Sequence, residues 1–340
     1  MKISEIQTRI NKLPLDEQNL IYTQLVNMVN DLDIDIPQMQ SEHKASESRH
    51  CPHCQSSHTV KNGKEYGIQR FLCQICKRCY RVSTGTFNAR MRKGKGELLK
   101  LYMKSLLSGD SIRKSAEKCK IAVPTSFKWR HRILAALQTE QTKIVLDGIV
   151  ESDDVFLPYS QKGQRNIERK PRERGKGIFE PKKRGISDDK VAIIISQDRK
   201  KQKHLQVATR GRISEQDLKK VLEGKIATDS ILCSDSHPSY IAYAKTNKIE
   251  HKAIKANAKQ YVKEGKYHIQ HVNQTANEMK QWLDKFKGVS TKYLQNYLNW
   301  FAVQKRIEKA SIPLRELSNM VCGSFDAIRT IKAIPKLSYI

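Results

Sequence analysis

Residues 148–157, GIVESDDVFL, set two adjacent carboxylates, Asp153 and Asp154, inside an otherwise apolar, β-prone run. Charge in a core strand is costly without a partner, and an isolated buried carboxylate protonates more readily than it stays charged. The pair therefore asks for a cation, a metal ion or a strand end open to water. A second apolar run, residues 231–234, ends the same way at Asp235. Two strands that each deliver an aspartate to one edge of a sheet would make half of a divalent-metal site.

The surrounding text supports such a sheet. KVAIIISQ (190–197) and HLQVA (204–208) read as strands that follow the first run, giving three in close succession as an antiparallel meander. A helix at 215–221, the strand at 231–235, a helix at 239–245 and a short strand at 251–254 come next. This order matches an α/β fold with a ribonuclease-H-like core, whose central strands carry an acidic metal site. In the helix that follows, Val272, Ala276, Met279, Leu283 and Phe286 form the buried stripe. At about 100° per residue, Asn273, Asn277 and Lys280 share an adjoining face, whereas Glu278 lies some 140° from Asn273. Asn273 and Glu278 cannot both point into one site.

Nearer the N-terminus, Cys51-x-x-Cys54 and Cys73-x-x-Cys76 bracket a short strand-like hairpin. Each turn can present two thiolates to one tetrahedral Zn²⁺, and two turns complete its coordination. A site with four protein ligands has no open position, so it is structural and adds folding free energy to a segment too small for a core of its own. The redox reading of CxxC lacks its βαβ context. Cys79, His50, His53 and His58 read as bystanders.

The balance of 63 Lys and Arg against 35 Asp and Glu over 340 residues gives a formal charge of +28, far beyond what solubility needs. A polyanionic partner, nucleic acid first, is the expectation. No run of about 18 apolar residues and no signal-peptide core is present, so a membrane partner is not expected and the protein is placed in the cytoplasm. Residues 1–33 read as two short amphipathic helices and 34–49 as a polar linker. Residues 91–104 predict a helix, and 112–119 with a second helix from Pro124 predict a helix-turn-helix pair. Lys128, Arg130, His131 and Arg132 decorate its second helix, and Lys128, Arg130 and Arg132 are the candidate DNA contacts. Residues 161–190 form a Gly- and Pro-containing basic loop, in which Arg172, Arg174, Lys182, Lys183 and Arg184 are placed to grip a phosphate backbone.

The combination VESDD, LCSDSHPSY and HVNQTANEMKQWLDKFKGVSTKYLQNYL resembles the DDE-type transposases of bacterial insertion sequences, in particular the group with an N-terminal zinc ribbon and an ISXO-type transposase domain. STGT after the second CxxC also looks like that group's usual join. The resemblance spans roughly residues 51–307. It implies Asp153 as the first metal ligand, with Asp154 where Glu is usual, and Asp235 as the second. The third position, Glu in many members, is Asn in a subgroup, seven residues before a lysine, which points to Asn273 with Lys280 as accessory cation. Glu278 is the rival third ligand. Asn offers a neutral carbonyl oxygen but neither negative charge nor a proton acceptor.

The implied activity is DNA cleavage and strand transfer at the element's ends with catalytic Mg²⁺ or Mn²⁺, structural Zn²⁺, double-stranded DNA as partner and a homo-oligomer assembled on it, in a bacterial cytoplasm and on the nucleoid when bound. The domains read as 1–45, helical segment and linker; 46–85, zinc ribbon; 86–140, helix-turn-helix region; 141–310, catalytic domain; and 311–340, C-terminal tail. Two alternatives stay open: a transposase-derived DNA-binding protein with a weakened site, and a ribonuclease-H-like nuclease acting on RNA or structured DNA.

Overall fold

Apolar residues on either side of Pro14 build two helices, α1 (Ile3–Ile10) and α2 (Leu15–Leu32), as their periodicity predicts. The computed structural model describes residues 3–32, 34–46, 50–65, 68–89, 91, 96–164, 166–167, 185–255 and 258–334. The chain divides into two compact units, Met1–Trp129 with Ile307–Ile328, and Arg130–Arg306 with Arg329–Ile340. The segment expected as a linker is largely helical, α3 (Ile36–Ser46). Ile34 and Ile36 are buried, Asp35 Oδ1 accepts from the Gln38 N–H at 3.2 Å, and the buried Gln40 donates to Asn88 Oδ1 at 2.8 Å. Two isoleucines and one capping carboxylate outweigh a polar composition that suggested no fixed structure.

A three-stranded antiparallel sheet follows, β1 (Thr59–Glu65), β2 (Ile68–Cys73) and β3 (Cys79–Arg81). Its small core is Cys51, Phe71, Cys73, Tyr80 and Val82, too little apolar surface to hold such a segment without a further cross-link. In the STGT join, Gly85 takes φ +88° and a Cβ there would collide with the backbone oxygen of Phe325, so only glycine fits.

Three helices come next, α4 (Gly96–Leu107), α5 (Ile112–Lys118) and α6 (Val123–Ala136). Asp110, 3% exposed, fixes the corner between the first two through Lys118 at 2.6 Å, Lys114 at 3.0 Å and Ser105 at 2.8 Å. Tyr102 donates to the Ser126 carbonyl at 2.6 Å, and Ser126 Oγ donates to the Ile112 carbonyl at 2.8 Å. The short α7 (Gln138–Thr142) lies in the second unit, ahead of its sheet.

The second unit is built on a five-stranded mixed sheet. Its strands are β4 (Ile149–Pro158), β5 (Lys190–Asp198) and β6 (Lys203–Arg210), then, after α8 (Glu215–Leu222), β7 (Ile231–Asp235) and, after α9 (Pro238–Thr246), β8 (Glu250–Ile254). The order across the sheet is β6-β5-β4-β7-β8. The first three strands form the expected antiparallel meander, while β4–β7 and β7–β8 pair in parallel. A parallel partner needs a crossover, and helices supply it in each case.

Side-chain alternation assigns the two faces. Val150, Ala192, Ile194 and Leu232 enter a core with Leu218, Val221, Tyr240 and Tyr243 of α8 and α9. The opposite face meets α10 (Gln270–Asp284), which contacts β4 and β5. The next helix, α11 (Thr291–Ile307), joins α10 through an aromatic cluster of Trp282, Phe286, Tyr297 and Trp300, the Trp282 and Trp300 rings 4.8 Å apart. Gln295 of α11 accepts from the Val207 N–H and donates to the Leu205 carbonyl, so the free edge of β6 is capped by a side chain.

Two last helices occupy what read as a tail, α12 (Pro313–Cys322) and α13 (Ala327–Ala333). Leu314, Leu317, Val321 and Cys322 are buried, and α12 packs on α3 and α4 of the first unit.

Candidate active site

Strand register brings the aspartates together. In the parallel ladder Glu151 is level with Cys233, and carrying that register two residues further puts Asp153 level with Asp235, the last residue of β7. Oxygen atoms of Asp153, Asp154 and Asp235 lie within 4.8 Å of one another, close to the ~4.2 Å that separates two oxygens on opposite sides of a Mg²⁺ at ~2.1 Å. The Asp154 N–H donates to Asp153 Oδ1 at 2.9 Å, and the His237 N–H to Asp235 Oδ1 at 3.1 Å. Asp235 thus stands just before the N-terminus of α9, where the helix dipole favours negative charge.

The electrostatics of the cluster suit a cation. Burial, then the neighbouring charges of Asp154 and Asp235, push the Asp153 carboxyl up to about 7, with Lys280 pulling the other way. Asp154 is raised too, by burial and by Asp235, with His237 opposing. Three half-buried carboxylates at this separation repel one another, and a divalent ion relieves the repulsion.

Helix α10 presents its faces as the periodicity predicts. Val272, Ala276, Met279 and Leu283 are buried, Asn273 is exposed on the first turn and Lys280 is exposed further along, with its charge felt at Asp153. Glu278 points elsewhere: it pairs with Lys305 at 3.0 Å and accepts from Gln274 at 2.9 Å. Those partners hold its carboxyl below its ordinary range against the opposing effect of burial.

The second set of ligand atoms lies in the first unit. Sulfurs of Cys51, Cys54, Cys73 and Cys76 lie within 4.8 Å of one another, with Cys51–Cys76 at 3.6 Å and Cys54–Cys73 at 3.5 Å. A tetrahedron of sulfurs about Zn²⁺ has edges of ~3.8 Å, so the four residues fit that ion. Backbone N–H contacts, that of Cys76 first, lower the Cys73 thiol to about 6, while, against the N–H of Arg78, burial and the neighbouring sulfurs raise that of Cys76 to about 12, as crowded thiols sharing protons do.

One sequence-derived DNA contact is corrected. Arg130 is 0% exposed, with its guanidinium 4.8 Å from the centroid of the Trp300 ring. A buried cation on an indole face does not reach a phosphate, so Arg130 belongs to the core. Its neighbour His131 is also buried, against Tyr293, and burial lowers it to about 3. Of the other two residues proposed on α6, Lys128 is exposed and Arg132 half-buried. Arg172, Arg174, Lys182, Lys183 and Arg184 of the basic loop lie outside the described residues.

Sequence reasoning missed Glu151, Arg199, His268 and His271, which meet beside the aspartates. The available signal was period two along β4, since Glu151 shares a strand face with Asp153.

Residues 145–304 match the family described as the ISXO2-like transposase domain. Among similar proteins is an uncharacterized protein in transposable element ISH50 of Halobacterium salinarum, 24% identical over 263 residues, covering 76% of this chain and 85% of the relative. The InsA protein of insertion element iso-IS1N from Shigella dysenteriae is 33% identical over 82 residues, 24% of this chain and 86% of its own length. The solved pre-cleavage Mos1 transpososome aligns over 73% of this chain and 80% of that chain, at 11% identity and a TM-score of 0.22. A score that low places no constraint on the architecture, which the sheet order defines by itself. With a transposase-like domain at 145–304, a little under half of the chain, and relatives from a transposable element and an insertion element, the chain is similar to insertion-element proteins.

Proposed function

We propose that the protein cuts and joins DNA at the ends of its insertion sequence by divalent-metal-dependent phosphoryl transfer, on a ribonuclease-H-like core. The observation that carries this reading is the approach of Asp153, Asp154 and Asp235 within 4.8 Å at the level where β7 ends and β4 continues. Asp153 and Asp235 would hold the ion, Asn273 would offer a neutral oxygen from α10, and Lys280 would act as a cation toward the phosphate. Bound Mg²⁺ or Mn²⁺ would supply Lewis-acid stabilisation of the oxygens that gain charge during in-line displacement. The chain's own part is to fix the carboxylates, orient the phosphate and place a cation beside it.

The cysteine cluster serves as a zinc ribbon, and α5 and α6 form a helix-turn-helix that, with the ribbon, recognises the element's ends. Lys128 and Arg132 remain its candidate contacts, and Arg172, Arg174, Lys182, Lys183 and Arg184 remain the candidate backbone contacts. The protein works on double-stranded DNA as a homo-oligomer in the bacterial cytoplasm. No helix among the described residues is long and apolar enough to cross a membrane.

The test is nicking of a duplex carrying the element's end by purified protein with Mg²⁺ or Mn²⁺. Asp153→Ala and Asp235→Ala should each lower the rate at least ~1,000-fold, the scale of a lost transition-state electrostatic contact. Asn273→Ala should fall well below the wild type, and Glu278→Gln should stay within about threefold of it, the cost of an exposed ion pair being small. Binding without cleavage under either metal would favour a transposase-derived DNA-binding protein, the reading that Asn273 in place of a carboxylate motivates.

A further inference from the structure

Glu151 is 1% exposed, yet it is a carboxylate on a central strand two residues before Asp153. Its Oε2 accepts from the backbone N–H groups of His271 at 2.9 Å and Val272 at 3.1 Å, the two residues that precede Asn273. Its Oε1 lies 2.7 Å from His271 Nδ1 and 2.9 Å from Arg199 Nη1.

Glu151, His268 and His271 have the composition of a metal site, but Arg199 decides against one. Arg199 Nη1 is 2.9 Å from Glu151 Oε1, 2.9 Å from His268 Nε2 and 2.8 Å from His271 Nδ1, so a cationic nitrogen already fills the centre of the cluster. Arg199 is anchored in turn, as Nη2 donates to the Lys266 carbonyl at 3.0 Å. The cluster is a clasp that closes β4 and the end of β5 onto the start of α10.

We propose that Glu151, held by Arg199, is a positioning residue: it fixes the first turn of α10 against β4 and so sets where Asn273 stands relative to Asp153. The inference rests on the reading of Asp153, Asp235 and Asn273 as one catalytic site. The linkage is short at both ends, two residues from Glu151 to Asp153 and one from Val272 to Asn273. Unfastening it frees the third group while leaving the two aspartates on their strands. A misplacement of ~1 Å at a reacting centre can cost ~100-fold in rate.

The experiment compares full-length wild type, Glu151→Ala, Glu151→Gln and Arg199→Ala by single-turnover nicking of an end duplex with Mn²⁺, affinity for that duplex, and hydrogen exchange at amides 271 and 272. Glu151→Ala should cleave about 100-fold more slowly, bind DNA within twofold of wild type, and exchange at both amides at least about tenfold faster. Glu151→Gln retains an oxygen for the two N–H groups and should recover about tenfold of the lost rate and most of the protection. Arg199→Ala should fall between them. If Glu151→Ala does not fold, Glu151→Gln and Arg199→Ala carry the test, each expected to slow cleavage without weakening binding.

Cleavage within threefold of wild type in every folded variant would overturn the inference. So would parallel losses of cleavage, DNA affinity and melting temperature, the mark of a merely structural residue. A wild type that binds but never cleaves fails the catalytic reading first and takes this inference with it.

Discussion

Replacing Asp153 by asparagine removes a charge that burial and two neighbouring carboxylates oppose, so the metal-free variant is expected to be more stable than wild type at pH 8. The carboxyl climbs from 3.8 to about 7 on folding. Each tenfold change in proton affinity corresponds to ~1.4 kcal/mol, which makes the climb worth ~4 kcal/mol as an upper bound. Asp154 is raised as well, and protons shared within the cluster bring the expected gain to ~2–4 kcal/mol. The sign follows from linkage: a carboxyl whose folded value is raised contributes stability below its unfolded value and loses it as pH rises through the folded one. The difference between variant and wild type should therefore be small near about pH 4, grow through about pH 7 and level off above about pH 8. Urea titration in EDTA, followed by the fluorescence of Trp282 and Trp300 in a Trp129→Phe background, measures it. Adding Mg²⁺ or Mn²⁺ at ~1,000 times its Kd for wild type should cancel or reverse the order, because the ion then stabilises wild type by ~4.1 kcal/mol and has lost a ligand in the variant. A variant no more stable than wild type in EDTA at pH 8, or equal stabilisation of both by metal, would refute the reasoning.

Three further outcomes follow from the first unit and from α6. Arg130→Ala should lower stability by ~2 kcal/mol or more, the scale of a desolvated cation–π contact, without changing the DNA affinity of the folded protein. Lys128→Ala, by contrast, should weaken binding and reduce its salt slope by about one if Lys128 meets a phosphate; melting curves and binding at several salt concentrations separate the two. Cys73→Ser should abolish tight zinc binding, measured as metal per chain by atomic absorption, and remove hydrogen-exchange protection from β2, since the sulfur cluster supplements a core of only a few apolar side chains.

Much of the second unit was legible because strands state themselves in pattern. The runs that begin near Gly148, Lys190, His204, Ile231 and His251 each appear as strands, within one or two residues of the expected bounds. Asp153 and Asp235 stood out as carboxylates within or ending apolar runs. Glu151 carried the same local signal, but its partners Arg199, His268 and His271 are 48 or more residues away in sequence, and no spacing rule joins them. Arg130 was misread for a related reason. A basic residue on a helix gives no sign of which side faces the core, and here the helix turns Arg130 onto Trp300. Helix α12 was legible in retrospect, since Leu314, Leu317, Val321 and Cys322 recur at helical spacing after Pro313.

The path of the chain between the two units has a practical meaning for dissecting the protein. The boundary at Trp129 and Arg130 falls inside α6, and the return at Arg306 and Ile307 falls in the last turn of α11. A fragment cut to the ends of the family match, 145 and 304, would discard Ile144, which belongs to the central core, and the buried run from Ile133 to Leu137. An expression fragment meant to isolate the second unit should begin before Val123 and run past Ile307, keeping both boundary helices whole.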